Sequence, residues 1–187
     1  MRFVFDELKA AQAAAYLLKR HGGRLNYTIL IKLLYLADRR SLLEIGRLIS
    51  GDELVSMPQG PVLSRVYELI NLGPKDDAAP SPWFTYIVRE GRYEVALRDP
   101  SPSNDELSKH EMKILDEIDE QFGKKGLWDL VDYAHTLEEW VDPKGSSSRI
   151  DPETILRVES KSQEEIEAIS RITKEVNFLQ EYEPRQR

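Results

Sequence analysis

Two short segments, Lys32–Asp38 and Gly60–Val62, constrain the fold of this chain more than any other part of the sequence. The first reads Lys-Leu-Leu-Tyr-Leu-Ala-Asp, which is typical of a buried helix because apolar residues occupy most of its positions. The second places proline directly after glycine, and proline suits the first turn of a helix, where its missing N–H would be unpaired anyway. This order predicts a central helix, a break at Gly60-Pro61, and a further helix that begins at the break.

The remaining helices follow from apolar residues at helical spacing and from the residues that flank them. Asn26 or Thr28 can cap the central helix, and Ser103 with Glu106 has the spacing of a capping box that would open a later helix. The predicted helices cover residues 6–20, from about 26 to 46, from 60 to 73, 103–122, about 127–134, from Asp151, and from Ser162 onward.

One β-hairpin is predicted between the helices. Residues 74–82 read as a loop, and the strand-like runs 83–89 and 92–97 follow it, joined by a turn at Glu90-Gly91. The expected fold is therefore mainly α (α+β), a compact helical domain with one small hairpin, 83–97, and a C-terminal amphipathic helix. We expect residues 1–142 to form the domain and residues 143–187 to form a linker and a helical extension that packs on the domain or on a partner.

Composition narrows the class of protein. The chain has no cysteine, which excludes disulfides and thiolate metal sites, and it has no apolar run of the ~18 residues that a membrane span needs. Asp6 and Glu7 interrupt any apolar core of a signal peptide, so a cytoplasmic protein is expected.

Charge is distributed unevenly along the chain. Residues 99–142 carry 13 acidic and 4 basic side chains, whereas the whole chain has a net charge of −7. This acidic block would repel a phosphate backbone and steer a basic protein partner toward itself, so nucleic-acid binding is not expected. The alternative is that the block is only a solvated surface.

A search for catalytic or metal-binding motifs finds none that predicts an enzyme. The three histidines lack the spacing of a helical zinc site, and no glycine-rich phosphate loop is present. His135 lies near Asp132, Glu138 and Glu139, so a general base with an orienting carboxylate is one interpretation. A histidine that ties down a turn is the other. The sequence predicts no enzyme activity, no cofactor and no metal.

The order of these motifs resembles the Panacea domain, the SocA-like antitoxin family. The resemblance rests on Lys32–Asp38, on Gly60–Val62 with Val66-Tyr67, and on a later run from Leu115 through Phe122-Gly123 to Ala134-His135 and Trp140. It spans roughly residues 8–142. It implies an antitoxin that binds and neutralises a toxin encoded beside it, within a toxin–antitoxin hetero-oligomer or with additional self-association. One branch of the family instead delivers its toxin to a cytosolic protease.

The resemblance implies no catalytic residues, but it marks a signature that would build the scaffold or contact the partner: Lys32, Tyr35, Asp38, Gly60, Pro61, Val62, Tyr67, His135 and Trp140. A second candidate surface comes from the residues of the last helix. Its apolar positions form a narrow seam that could dock on a partner or fold back on the chain's own core: Ile169, Ile172, Val176 and Leu179. A small hydrolase or nucleotide-acting enzyme centred on His135 is the remaining alternative.

Overall fold

Helices dominate the part of the chain that the computed structural model describes, residues 1–73 and 81–182. Over these residues there are eight helices: α1 (Glu7–Arg20), α2 (Tyr27–Ile45), α3 (Ser64–Leu72), α4 (Pro82–Tyr86), α5 (Lys109–Phe122), α6 (Leu127–His135), α7 (Pro152–Val158) and α8 (Gln163–Tyr182). Six short strands accompany them: β1 (Arg24–Asn26), β2 (Leu54–Met57), β3 (Gly60–Leu63), β4 (Ile87–Glu90), β5 (Glu94–Leu97) and β6 (Ser148–Arg149). The prediction of a mainly α (α+β) fold is confirmed.

The central helix α2 begins and ends where local sequence signals place it. Asn26, rather than Thr28, is the N-cap, and its side chain accepts a hydrogen bond from the Thr28 N–H at 2.9 Å. Gly46 follows the last turn in the left-handed conformation that glycine adopts most readily. The helix is buried from Leu30 through Asp38, and α1, α5, α6 and α7 pack around it.

The prediction that Gly60-Pro61 opens a helix is wrong. Gly60–Leu63 is strand β3, which pairs antiparallel with β2, and α3 begins only at Ser64. β3 lies at the edge of a three-stranded sheet in the order β3-β2-β6, where a proline without an N–H leaves no ladder hydrogen bond unmade. The described residues therefore contain a second hairpin, β2–β3, in addition to the one that the sequence predicts.

The predicted hairpin over 83–97 is shorter than expected. Its first four residues form helix α4, which opens with Pro82 at the first turn, and the buried Trp83 packs in the core. The hairpin itself is β4–β5, joined by the three-residue connection 91–93 instead of a two-residue turn. β1 adds a third strand in the order β1-β5-β4. Most of the predicted loop 74–82 lies outside the described residues.

The capping box of α5 lies five residues later than predicted. Ser108 and Glu111 form it: the Ser108 hydroxyl accepts from the Glu111 N–H, and the Glu111 carboxylate accepts from the Ser108 N–H. The predicted serine, Ser103, instead donates to Asp105, which also accepts from the Gln12 side chain of α1. The segment with the predicted Ser-x-x-Glu spacing is therefore a loop that is bound to α1 through Gln12.

Residues beyond 147 return to the body of the fold. Ser148–Arg149 pairs with β2, and Ile155 and Leu156 of α7 are fully buried. Ile166, in the first turn of α8, is buried as well. The segment after residue 142 therefore contributes side chains to the core.

Candidate functional site

The signature residues surround the β2–β3 hairpin. Lys32 projects from α2, and its Nζ donates a hydrogen bond of 2.8 Å to the Pro61 carbonyl on β3. Gly60 opens β3 next to Lys32 and α6, in a left-handed conformation with φ of 91°. Two aromatic rings hold the turn of the hairpin from the other side. We name this group the hairpin cluster: Lys32, Gly60, Pro61, His135 and Trp140.

The two aromatic residues bind the main chain of the hairpin turn. The Trp140 indole N–H donates to the Met57 carbonyl at 3.0 Å, and His135 Nε2 lies 3.1 Å from the Pro58 carbonyl. The two rings stack on each other, with centroids 4.1 Å apart. His135 therefore ties down a turn, as one interpretation of the sequence predicts. Among the described residues, no carboxylate is hydrogen-bonded to its ring, so an orienting acid for a general base is missing there.

Lys32 is an unusual member of this group because it is a buried cation. Its side chain is 1% exposed, and it forms no ion pair with a carboxylate in the described part of the chain. Burial disfavours the charged form and lowers the pKa of Lys32 from 10.5 to about 7. The Pro61 carbonyl accepts a hydrogen bond from either the ammonium or the amine, so the contact with the hairpin does not depend on the charge.

This burial predicts a pH-dependent stability. Between pH 7 and 9 the unfolded chain keeps the lysine proton and the folded chain loses it, so the free energy of unfolding rises with pH, by on the order of 2 kcal/mol. In Lys32→Met this rise is expected to disappear, whereas in Lys19→Met, which changes an exposed lysine of α1, it should remain. Urea unfolding at several pH values measures the effect, and parallel curves for wild type and Lys32→Met would contradict it.

Two buried carboxylates hold the loop between α2 and β2. Asp38 accepts hydrogen bonds from the N–H and the hydroxyl of Ser50. Asp52 accepts from the N–H groups of Arg65 and Val66 in the first turn of α3, so it caps that helix from a distant position in the sequence. Burial raises the pKa of Asp38 to about 7 and that of Asp52 to about 6, against the opposing effect of these hydrogen bonds.

A charged network links α2 to the chain after α6. Glu139, whose side chain is fully buried, accepts from the Tyr35 hydroxyl at 2.9 Å and from Arg39 Nε at 2.7 Å. Arg39 also binds Glu159, just after α7. Burial lowers the pKa of Arg39, but its hydrogen bonds to Glu139 and Glu159 outweigh this effect and raise the pKa overall. Burial and the neighbouring Glu139 raise the pKa of Tyr35 well above its usual value.

The structure brings most of the signature together, but not all of it. Val62 is buried in β3 beside the hairpin cluster, whereas Tyr67 lies half-buried on α3. No side-chain hydrogen bond joins Tyr67 to the cluster within the described residues. Sequence reasoning missed Glu139 as the partner of Tyr35 and missed Asp52 as the cap of α3. A weak signal for Glu139 existed, because Tyr35 and Arg39 are four residues apart on one helix and so face a common partner.

The acidic block of residues 99–142 divides into paired and unpaired parts. On α5, the carboxylates bind cations of α1 and α2: Glu111 binds Lys9, Asp116 and Asp119 bind Arg20, and Glu117 binds Arg40. These ion pairs join α5 to the rest of the fold. Beyond α5, four exposed carboxylates have no ion-pair partner among the described residues: Asp129, Asp132, Glu138 and Asp142. Together with Glu120 of α5, these carboxylates present unpaired negative charge to a partner.

The seam predicted on α8 is partly covered by the chain itself. Ile169 packs against the core beside α2, and Val176 is half-buried. Ile172 and Val176 line a cleft of about 140 Å³ with Phe3 near the chain's start. Ile172 and Leu179 remain half or more exposed. The seam thus has one end on the core and one end accessible to a partner.

The described residues offer neither a metal site nor a membrane span. Over residues 1–73 and 81–182, no group of three or more histidines and carboxylates is arranged to hold a metal ion. In the same residues, no helix combines the length and the apolar character that a bilayer crossing requires.

Comparison with known proteins identifies one family. A family model described as the antitoxin SocA-like, Panacea domain matches residues 30–141, more than half of the chain. No curated protein and no solved structure matches the chain. The matched segment begins at the buried part of α2 and ends just after Trp140, so it contains the whole hairpin cluster and Glu139.

Proposed function

The chain belongs to the antitoxin SocA-like, Panacea domain family, and we propose that it is an antitoxin that neutralises a toxin encoded beside it by direct binding. The family match carries this proposal. A non-enzymatic role goes with the family, and the contacts of His135 support it, because the ring binds a main-chain carbonyl and stacks on Trp140. The place of action would be the cytoplasm, where such a toxin is made.

The signature would then act as scaffold. Lys32, Tyr35, Asp38 and Pro61 are buried, and their polar groups already bind residues of the same chain. Buried and paired groups are not available to a partner, so the side chains that select the toxin must lie on the surface that this scaffold holds in place. The proposed assembly is a toxin–antitoxin hetero-oligomer.

Co-expression with the product of the neighbouring gene tests the proposal. We expect that product to arrest growth when it is made alone. We expect this chain to restore growth and to co-purify with the product in a stable complex.

Three outcomes would contradict direct neutralisation. A harmless neighbour would remove the toxin. Restored growth with a falling toxin level, lost when the cytosolic proteases are inactivated, would instead indicate an adaptor that delivers the toxin for degradation. Restored growth with a stable toxin, no complex and a chemically altered toxin or target would indicate an enzyme.

A further inference from the structure

One side of α6 carries an exposed tryptophan that no part of the described chain covers. Trp128 is 65% exposed and is the largest side chain among the exposed apolar residues that the structure describes. Asp132 and His135 follow at spacings of four and three residues, which places all three on one side of the helix. The opposite side packs on the core through Leu130 and Ala134.

This side of α6 continues onto the β2–β3 hairpin. At its C-terminal end His135 contacts the carbonyl of Pro58, and Pro58 is exposed at the hairpin turn. Beyond the helix, Trp140 stacks on His135, and Val141 is 67% exposed with its N–H bound to β2. We name this surface the docking face; it consists of Pro58, Trp128, Asp132, His135, Trp140 and Val141.

The charge around the docking face is negative at its hairpin end. Asp132, Glu138 and Asp142 are exposed there and form no ion pair with the described part of the chain, in contrast to most carboxylates of α5. Lys124 and Lys125 precede Trp128 at the other end, and the exposed Lys144 is the basic residue nearest in sequence to Asp142. A partner that covers the face would match it with basic groups opposite the three carboxylates.

The hairpin end of the docking face is held in place by hydrogen bonds. The hairpin turn is held by two hydrogen bonds from aromatic side chains, and the adjacent strand β3 is held by the hydrogen bond from Lys32 to Pro61. A surface that is already ordered loses less conformational entropy on association. Interfaces concentrate their binding energy in central aromatic residues, tryptophan above all, surrounded by a polar rim.

We propose that the docking face binds the toxin, with Trp128 entering an apolar pocket and with basic toxin groups facing Asp132, Glu138 and Asp142. This inference rests on the antitoxin function proposed above and names the surface through which it acts. The hairpin cluster gives the face its shape, and the exposed residues of the face that lie outside the signature select the partner: Pro58, Trp128, Asp132 and Val141.

Calorimetric titration of the full chain with the neighbouring gene's product tests the docking face. We expect Trp128→Ala to weaken binding by about ten- to a hundredfold and Asp132→Asn to weaken it less and in a salt-dependent way. Tyr93→Ala is the matched control, because it removes a half-exposed aromatic ring from the β4–β5 connection on another part of the surface. Leu179→Ala tests the accessible end of the α8 seam.

Each result has a distinct meaning. If wild type binds and Trp128→Ala binds equally tightly, the docking face is not the interface, while the antitoxin function stands. If Leu179→Ala loses binding and Trp128→Ala does not, the seam of α8 is the interface instead. If Trp128→Ala changes only the oligomeric state of the free protein, a second copy covers the face. If wild type itself fails to bind, the proposed function and the inference that rests on it both fall.

Discussion

Replacing Glu139 with alanine is expected to lower the free energy of unfolding by about 3 kcal/mol, because it removes one partner of a buried ion pair. The side chain of Arg39 is only 13% exposed, and without Glu139 its remaining carboxylate is the half-exposed Glu159. The Tyr35 hydroxyl, buried on α2, would lose its acceptor at the same time. Guanidinium unfolding with linear extrapolation measures the loss.

Three further variants assign this effect to the charged network. Glu159→Ala removes the outer carboxylate of the same arginine and should change stability by about 1 kcal/mol or less, because that group is exposed to solvent. Glu138→Ala changes the exposed neighbour in sequence and should have almost no effect. Glu139→Gln keeps an acceptor for Tyr35 and should fall between. Equal stabilities of Glu139→Ala and Glu138→Ala would show that the network does not hold α2 to the chain after α6.

The features that the sequence predicted correctly have local causes. The bounds of α1, α2 and α6 depend on caps and apolar spacing within a few residues, such as Asp6 and Asn26 at the N-termini and Gly46 after α2. Each of these residues acts on the backbone next to it, so the local sequence is enough to place the ends of the helix.

The features that it missed depend on partners distant in the chain. Pro61 is compatible with a helix start and with an edge strand, and only the pairing with β2 decides between them. Ser103 and Ser108 both open a Ser-x-x-Glu pattern, and the contact of Asp105 with Gln12 of α1 decides which one begins α5. The sequence predicted the members of the hairpin cluster among the signature residues but did not predict how they are arranged. Lys32 binds Pro61 and Trp140 binds Met57, so the two side chains are linked only by the hairpin between them.

Replacing Gly60 with alanine is expected to lower the free energy of unfolding by about 2–5 kcal/mol. The residue has φ of 91°, a left-handed conformation that strains any residue with a Cβ by roughly 1–2 kcal/mol. A Cβ at this position would also lie 2.9 Å from the Ala134 Cβ and 2.9 Å from Lys32 Nζ. Lys32 can move only by giving up its hydrogen bond to Pro61, and Ala134 is fixed on α6, so crowding adds about 1–3 kcal/mol.

Two comparisons separate strain from crowding at Gly60. Gly91→Ala introduces a methyl group at a similar backbone conformation, φ of 60°, with no atom within 4 Å, so it should show the strain alone. Ala134→Gly removes the fixed neighbour; combined with Gly60→Ala it should recover part of the loss in a double-mutant cycle, after the roughly 1 kcal/mol that glycine costs in a helix is subtracted. Two results would contradict close packing of α2, the hairpin and α6 at Gly60. One is a loss of stability in Gly60→Ala no larger than that in Gly91→Ala. The other is a double-mutant cycle without coupling between Gly60 and Ala134. A coupled result would explain the glycine of the signature by close packing, since only a residue without a side chain fits between Lys32 and Ala134.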